Sequence, residues 1–269
     1  MSPFPGANAA RSDAAYVLVG APLDRSTSFR PGTRFGPDQV RRYARGFEDY
    51  DHHTDTGFSD CEVHDAGDIE PWADADDYLD FLADQLRDAR DDATPLLVGG
   101  EHTVSIAGVR AIEPDVFVCL DAHLDLREEL GGDPLSHSTV TRHALEVTDR
   151  AVVLGARAGS EAEWARASEA DVEVVPPESV PGWSAEFDGD ESVYLSVDID
   201  AADPSVAPGT GTPEPFGLSS REMRDVVRDV APHARGFDVV EVNDRDDGQA
   251  AVLGAKLLRA FVFAHVDGR

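Results

Sequence analysis

The sequence predicts a single α/β domain in which a mainly parallel sheet is covered by helices on both faces. Three observations predict it. Short apolar, β-branched runs alternate with longer amphipathic stretches along the chain, as strand–helix–strand units require. The runs are apolar throughout rather than at every second residue, which suits strands buried on both faces. The chain has 269 residues and no linker-like segment, so residues 1–269 read as one domain.

Strands are expected at 16–20, 95–99, 116–120, 152–155, 172–175, 193–197 and 237–242, each a short apolar run bounded by polar or turn-forming residues. Helical patterns fill the intervals at 77–90, 103–112, 139–148, 161–169, 219–230 and 249–265. Two segments carry too many breakers for either element: 29–37, with Pro31, Gly32, Gly36 and Pro37, and 202–217. Both read as loops, and long loops in a compact domain are often functional. Residues 1–13 are expected to be a loosely ordered lead-in. No internal repeat or low-complexity tract is present.

Charge narrows the function classes. Lys and Arg total 23 against 53 Asp and Glu, a formal charge of −30. A phosphate backbone needs a basic face, so no nucleic acid is expected, and an anionic membrane surface is disfavoured for the same reason. An acidic cleft attracts a cationic substrate. Most of the charge has a blander explanation. Lys256 is the only lysine, leaving 22 Arg among the 23 cations, and dense carboxylate with almost no Lys fits a salt-adapted protein whose self-repulsion is screened. Cys61 and Cys119 form neither a disulfide framework nor a metal-ligand spacing, and Cys119 lies inside an apolar run where packing is its expected use. The N-terminus has no signal-peptide pattern and no apolar run approaches membrane-spanning length, so a cytoplasmic location is expected.

The residues with chemistry to offer follow the C-terminal ends of expected strands, where open parallel sheets place their ligand sites. Four ends stand out: Gly99-Gly100-Glu101-His102, Asp121-Ala122-His123-Leu124-Asp125, Asp198-Ile199-Asp200, and Glu241. Asp, His and Asp at alternate positions point the same way along an extended chain. Carboxylates crowded at the edge of a buried sheet repel one another and lose hydration, and divalent cations relieve both penalties. His102, Asp121, His123, Asp125, Asp198 and Asp200 are enough for two metals if two carboxylates bridge. Oxygen ligands with some imidazole suit Mn²⁺ better than a thiolate-seeking metal. A single Asp after a strand is ordinarily a cap or turn former. Asp-x-His-x-Asp and Asp-x-Asp after separate strands have no such ready explanation.

These pieces, with Asp203-Pro204, the 207–213 run Ala-Pro-Gly-Thr-Gly-Thr-Pro and the 27–37 run Thr-Ser-Phe-Arg-Pro-Gly-Thr-Arg-Phe-Gly-Pro, resemble the signatures of the ureohydrolase family of arginases and agmatinases, archaeal agmatinase-type proteins above all. The resemblance covers the chain from Gly20 onward. It implies an arginase-like three-layer α/β/α sandwich, a homotrimer or homohexamer, and two Mn²⁺ per subunit. Asp121 and Asp198 would bridge the metals, His102 and Asp125 would complete one site, and His123 and Asp200 the other. The implied reaction is hydrolysis of a guanidino group to urea by water activated between the metals. Asp125, His137 and Glu241 would be catalytic: Asp125 accepts a hydrogen bond from the migrating proton, His137 relays a proton to the leaving amine, and Glu241 grips the guanidinium with two oxygens. Two departures are visible: Ser138 stands where many members have Gly, and Asp244 where the family has Pro.

Substrate choice is expected to lie in the loop after Asp125. Glu128 and Glu129 could pair with the distal ammonium of a small cationic guanidino substrate such as agmatine. Arg127 could instead bind a carboxylate, as in guanidinobutyrate or formimidoylglutamate, or serve only as an ion-pair partner. The substrate-binding set is therefore Glu241, His137, Arg127 and Glu128. Agmatine is the expected substrate and N1-aminopropylagmatine the alternative. A metal-binding regulatory protein without turnover is disfavoured, because Glu241 and His137 are both retained.

Overall fold

The computed structural model describes residues 3–72, 74–189 and 191–268. In chain order the strands are β1 (Tyr16–Ala21), β2 (Tyr50–Asp51), β3 (Thr56–Gly57), β4 (Val63–Asp68), β5 (Thr94–Gly99), β6 (Val116–Leu120), β7 (Arg150–Leu154), β8 (Val172–Val175), β9 (Val193–Asp198) and β10 (Ala234–Val240). The α-helices are α1 (Gly36–Ala44), α2 (Ala75–Arg90), α3 (Ser105–Ile112), α4 (Val140–Ala144), α5 (Glu161–Arg166), α6 (Ser220–Val230) and α7 (Gln249–Asp267). β2 and β3 form a small antiparallel hairpin. The other eight strands make one sheet in the order β4-β1-β5-β10-β9-β6-β7-β8, and every neighbouring pair is parallel.

Alternation along each strand feeds two cores. In β6, Val116, Val118 and Leu120 enter one apolar cluster with side chains of α1, α6 and α7. Phe117 and Cys119 enter the other, with side chains of α2, α3 and α4. The expected three-layer α/β/α sandwich is therefore the observed one. α2 shows how a helix earns its place in it. Asp74 caps its first turn by accepting from the Asp77 amide, and Tyr78, Leu79, Leu82 and Leu86 bury one stripe.

Several expectations need correction. The lead-in is packed where the structure describes it: Phe4 is buried against Phe58, its amide donates to Asp65 Oδ2 at 2.7 Å, and the Ala9 amide donates to the Val63 carbonyl at 3.0 Å. One buried aromatic ring anchors a segment that composition alone marked as loose. The 29–37 loop ends early, because Gly36 and Pro37 open α1, a first-turn position that suits proline. The expected helix at 139–148 is halved. β4 was not expected, since its sequence is poor in apolar residues; Asp65 and Asp68 are held instead by the buried Arg41. α7 is long and apolar enough to cross a membrane by length and composition, contrary to the reading that no such run exists, but most of it is buried inside the protein.

What positions the site is the middle of the sheet. β5, β10, β9 and β6 lie side by side, yet β6 follows β5 in the chain and β10 follows β9. The order of connection reverses here, which opens a crevice beyond the C-terminal ends of these four strands.

Candidate metal centre and substrate cavity

The four strands end in register, with Val240 beside Asp198 and Leu120 beside Val197. Their next residues consequently converge. His102 Nδ1 lies 2.8 Å from Asp125 Oδ2, 3.2 Å from Asp121 Oδ2 and 3.6 Å from Asp198 Oδ2. His123 Nδ1 lies 3.1 Å from Asp200 Oδ2 and 3.5 Å from Asp121 Oδ1. All six expected ligands are thus brought together in two overlapping groups that share Asp121. Backbone amides steady the carboxylates: Asp121 Oδ1 accepts from the His123 amide at 2.7 Å, Asp198 Oδ1 from the Asp200 amide at 2.8 Å, and Asp200 Oδ1 from the Ala122 amide at 3.1 Å.

The electrostatics of this cluster call for cations. Asp121, Asp125, Asp198 and Asp200 are all buried. Burial and the neighbouring Asp121 charge push Asp125 up to about 7. Burial, with Asp200 and Asp121 alongside, pushes Asp198 well above the carboxylate range. Burial opposes a charge on His123, but Asp200 and Asp121 outweigh it and push the imidazole up to about 12. Burial likewise opposes charge on His102, and the Cys119 sulfur with Asp121 and Asp125 raises it well above its ordinary value. Four carboxylates and two imidazole nitrogens that hold protons in this field are a donor set suited to divalent cations.

Cys119 reaches the cluster too, contrary to the expectation of a purely packed cysteine. Its Sγ is 3.8 Å from His102 Nε2 and donates to Asp121 Oδ2 at 3.9 Å. Burial pushes its thiol up to about 12, so it is a protonated neighbour of the oxygen-rich set. The same His102 Nε2 lies 3.2 Å from Ser196 Oγ, which donates to Asp238 Oδ1 at 2.7 Å. The Tyr194 hydroxyl donates to Asp238 Oδ2 at 2.8 Å. This buried chain behind the ring fixes which nitrogen faces the carboxylates.

Asp125 and Glu241 both adopt left-handed backbone, with φ of 51° and 60°, a conformation that costs a non-glycine residue about 1 kcal/mol or more. It swings each side chain out of the strand direction and toward the crevice. Glu241 Oε1 accepts from the His102 amide at 2.8 Å, and burial raises its carboxyl well above the usual range. Gly211 lies over the other oxygen, where a Cβ would come within 2.9 Å of Oε2. The loop that follows is shaped by Asn243, which donates to the Arg30 carbonyl and accepts from the Arg245 amide. Asp244, in place of the family proline, is exposed and leaves it intact.

His137 sits across a cavity of about 450 Å³ that it lines together with His123 and Asp125, a size ordinary for a small-molecule site. Its Nδ1 is 3.0 Å from Ser26 Oγ and its Nε2 2.9 Å from Ser28 Oγ. Ser26 Oγ also donates to the wholly buried Glu101 at 2.7 Å. Burial pulls the His137 pKa below its ordinary value, so the ring is neutral at pH 7. Sequence reading missed Glu101, Ser26 and Ser28. Glu101 was visible as the neighbour of His102, but only tertiary contact shows that it anchors the 24–30 loop beneath His137.

The specificity loop departs from expectation. Arg127 lines the cavity, but its Nε pairs with Glu163 at 3.3 Å. Glu128 does not line it; this exposed side chain pairs with Arg142 at 3.3 Å. Glu129 is exposed as well. The carboxylates that do reach the wall, besides Asp125, are Glu163 and Glu214, and neither was picked out from sequence.

With this geometry in view, the comparisons are direct. The profile of the arginase family matches residues 14–264. The chain belongs to the arginase family. An agmatinase of Pyrococcus horikoshii is 32% identical, with 91% of this chain and 90% of that protein aligned. An N(1)-aminopropylagmatine ureohydrolase of Thermococcus kodakarensis is 34% identical over 91% of this chain and 88% of its own length. The crystal structure of agmatine ureohydrolase of Thermoplasma volcanium superposes with a TM-score of 0.92 at 30% identity, covering 99% of this chain and 94% of that one.

Proposed function

We propose that the chain is an agmatinase, which hydrolyses agmatine to putrescine and urea with two Mn²⁺ held by His102, Asp121, His123, Asp125, Asp198 and Asp200. The observation that carries this reading is the convergence of those six side chains, all buried but His123, beneath a cavity with acidic walls, in a chain whose relatives include agmatinases. The residues fit the metals by their chemistry: hard oxygen donors, two imidazoles, and a density of buried carboxylate that is costly without cations. When bound, two such metals supply a water acidic enough to act as nucleophile near neutral pH.

The chain's own groups do the rest. Glu241 offers Oε2 to the guanidinium rather than the expected pair of oxygens, because its Oε1 already accepts from the His102 amide. Asp125 accepts the proton that leaves the attacking water. As oxygen bonds to the guanidino carbon, the bond from that carbon to the alkyl nitrogen breaks, and this nitrogen must gain a proton to leave as the amine. His137 relays that proton, its neutral ring held in place by Ser26 and Ser28. The Thermococcus relative favours N1-aminopropylagmatine as a second reading.

Assembly as a homotrimer or homohexamer is part of the same proposal. A second, larger cleft of about 820 Å³ beside α6 and α7 gathers Arg221, Arg228 and Lys256 over Val252 and Leu257. A cationic, partly apolar cleft on a molecule of charge −30 complements the acidic surface of another copy. Light scattering in concentrated KCl measures the assembly directly.

The deciding experiment is urea release by the Mn²⁺-loaded protein in concentrated KCl. The substrates are agmatine, N1-aminopropylagmatine, arginine and guanidinobutyrate, with formamide release scored for formimidoylglutamate. Turnover of the amine-terminated pair supports the proposal. Preference for a carboxylate substrate moves the protein to another branch of the family, and silence on all five returns the regulatory reading.

A further inference from the structure

We infer that Glu214 is the residue that selects an ammonium-terminated substrate, by receiving the distal cation of the guanidino amine at the wall of the cavity. This rests on the proposed agmatinase reading and names the specificity residue of that same site.

Glu214 is singled out by elimination among the cavity's acids. Asp125 is engaged with His102. Glu163 accepts from the Ser160 amide and hydroxyl at 2.8 and 2.7 Å and pairs with Arg127, so its charge is already answered. That pairing also ties up Arg127, the arginine among the described residues lining the cavity. Glu214 lines the cavity half-exposed, and among the described residues its carboxylate accepts no hydrogen bond. Its nearest charged partner is His123 Nε2 at 4.0 Å, too far for a hydrogen bond. A carboxylate at a cavity wall that accepts no hydrogen bond among the described residues, and whose charged neighbour stands at the limit of an ion pair, is a ready receptor for an ammonium group.

The backbone around it is built to hold this position. Pro213 and Pro215 restrict the chain on either side. The Arg157 guanidinium donates to the Glu214 carbonyl at 2.7 Å and to the Pro215 carbonyl at 3.0 Å. The same guanidinium donates to the carbonyl of Asp200 at 2.9 Å. One side chain therefore ties the Glu214 loop to the strand end that carries a candidate metal ligand. The distance between the reacting end and the ammonium receptor is fixed before substrate arrives, and such preorganisation favours binding.

The test compares agmatine with n-butylguanidine, which has the same carbon chain and no distal charge. Metal content of each variant is measured alongside. In Glu214→Gln the kcat/KM for agmatine is expected to fall about 10- to 100-fold, mainly through KM, while that for n-butylguanidine and the metal content hold. In Glu214→Arg, guanidinobutyrate is expected to gain on agmatine. An unchanged ratio of agmatine to n-butylguanidine in Glu214→Gln overturns the inference. Equal losses on both substrates with weakened metal retention also overturn it, making Glu214 a positioning partner of His123. Either result leaves the agmatinase reading standing, whereas a wild-type protein inactive on every guanidino compound removes that reading first.

Discussion

The C-terminal rim of the central strands and the outer face of α2 are both rich in aspartate, and the two regions obey opposite physics. On α2, Asp76, Asp77, Asp80, Asp84 and Asp88 are all exposed. Water and salt answer their charge, and the ion pairs they make, such as Arg110 with Asp80 at 3.1 Å, contribute little. At the rim, Asp121, Asp125, Asp198 and Asp200 are buried and face one another across two imidazoles. Solvent cannot answer them, so protons or bound cations must. The same side chain is a solubility device in one place and a candidate metal ligand in the other, and burial makes the difference.

The strongest way to break this contrast is Asp121→Asn. The variant is expected to lose tight binding of the metal pair and detectable turnover, measured by metal analysis after gel filtration. Retention of two metals per subunit would refute the bridging role. Second in size is a pH effect. His102 is held well above its ordinary pKa and His123 near 12, so both rings carry protons through the neutral range. A cation that takes their Nδ1 atoms must displace those protons. Metal affinity should therefore rise with pH, by about tenfold per pH unit for each proton released. Calorimetry in buffers of differing ionisation enthalpy counts the protons, and zero release would contradict the assignment.

A subtler probe is Asp238→Asn, which leaves every expected ligand in place but disturbs the chain behind His102. Metal affinity is expected to weaken by about 10- to 100-fold, with the competing outcome, a change in melting temperature but none in affinity, marking Asp238 as purely structural. Smallest of all, Asp80→Asn and Asp84→Asn on α2 should each shift stability by no more than about 0.5 kcal/mol. Their sign sharpens the comparison: removing these charges should help in dilute buffer and do nothing in molar KCl, where screening has already removed the repulsion. The wild-type protein should correspondingly lose stability or activity in low salt, and an unchanged melting temperature without salt would sink the salt-adaptation reading.

The alternation of apolar runs with amphipathic stretches was enough to place seven of the sheet's strands and most helices, because strands buried on both faces and helices with one apolar stripe leave a local mark. Five of the six candidate ligands were legible for a related reason: Asp-x-His-x-Asp and Asp-x-Asp directly after apolar runs are local patterns with no cheap structural explanation, and His102 was legible from its place at another strand end. What the sequence by itself determined was thus the fold class, the family and which residues gather at the rim. β4 escaped because its acids are satisfied by Arg41, a partner distant in the chain, and the packed lead-in escaped because one phenylalanine carries it. Glu101, Ser26 and Asp238 escaped because each acts through a hydrogen bond to a residue far away in sequence. The specificity loop shows the limit most clearly. Glu128 and Glu214 are both glutamates in polar stretches, and nothing local separates them. Only the tertiary structure decided that Glu128 faces solvent beside Arg142 while Glu214 faces the cavity. The direction of an exposed side chain is set by which distant segments fold against its loop.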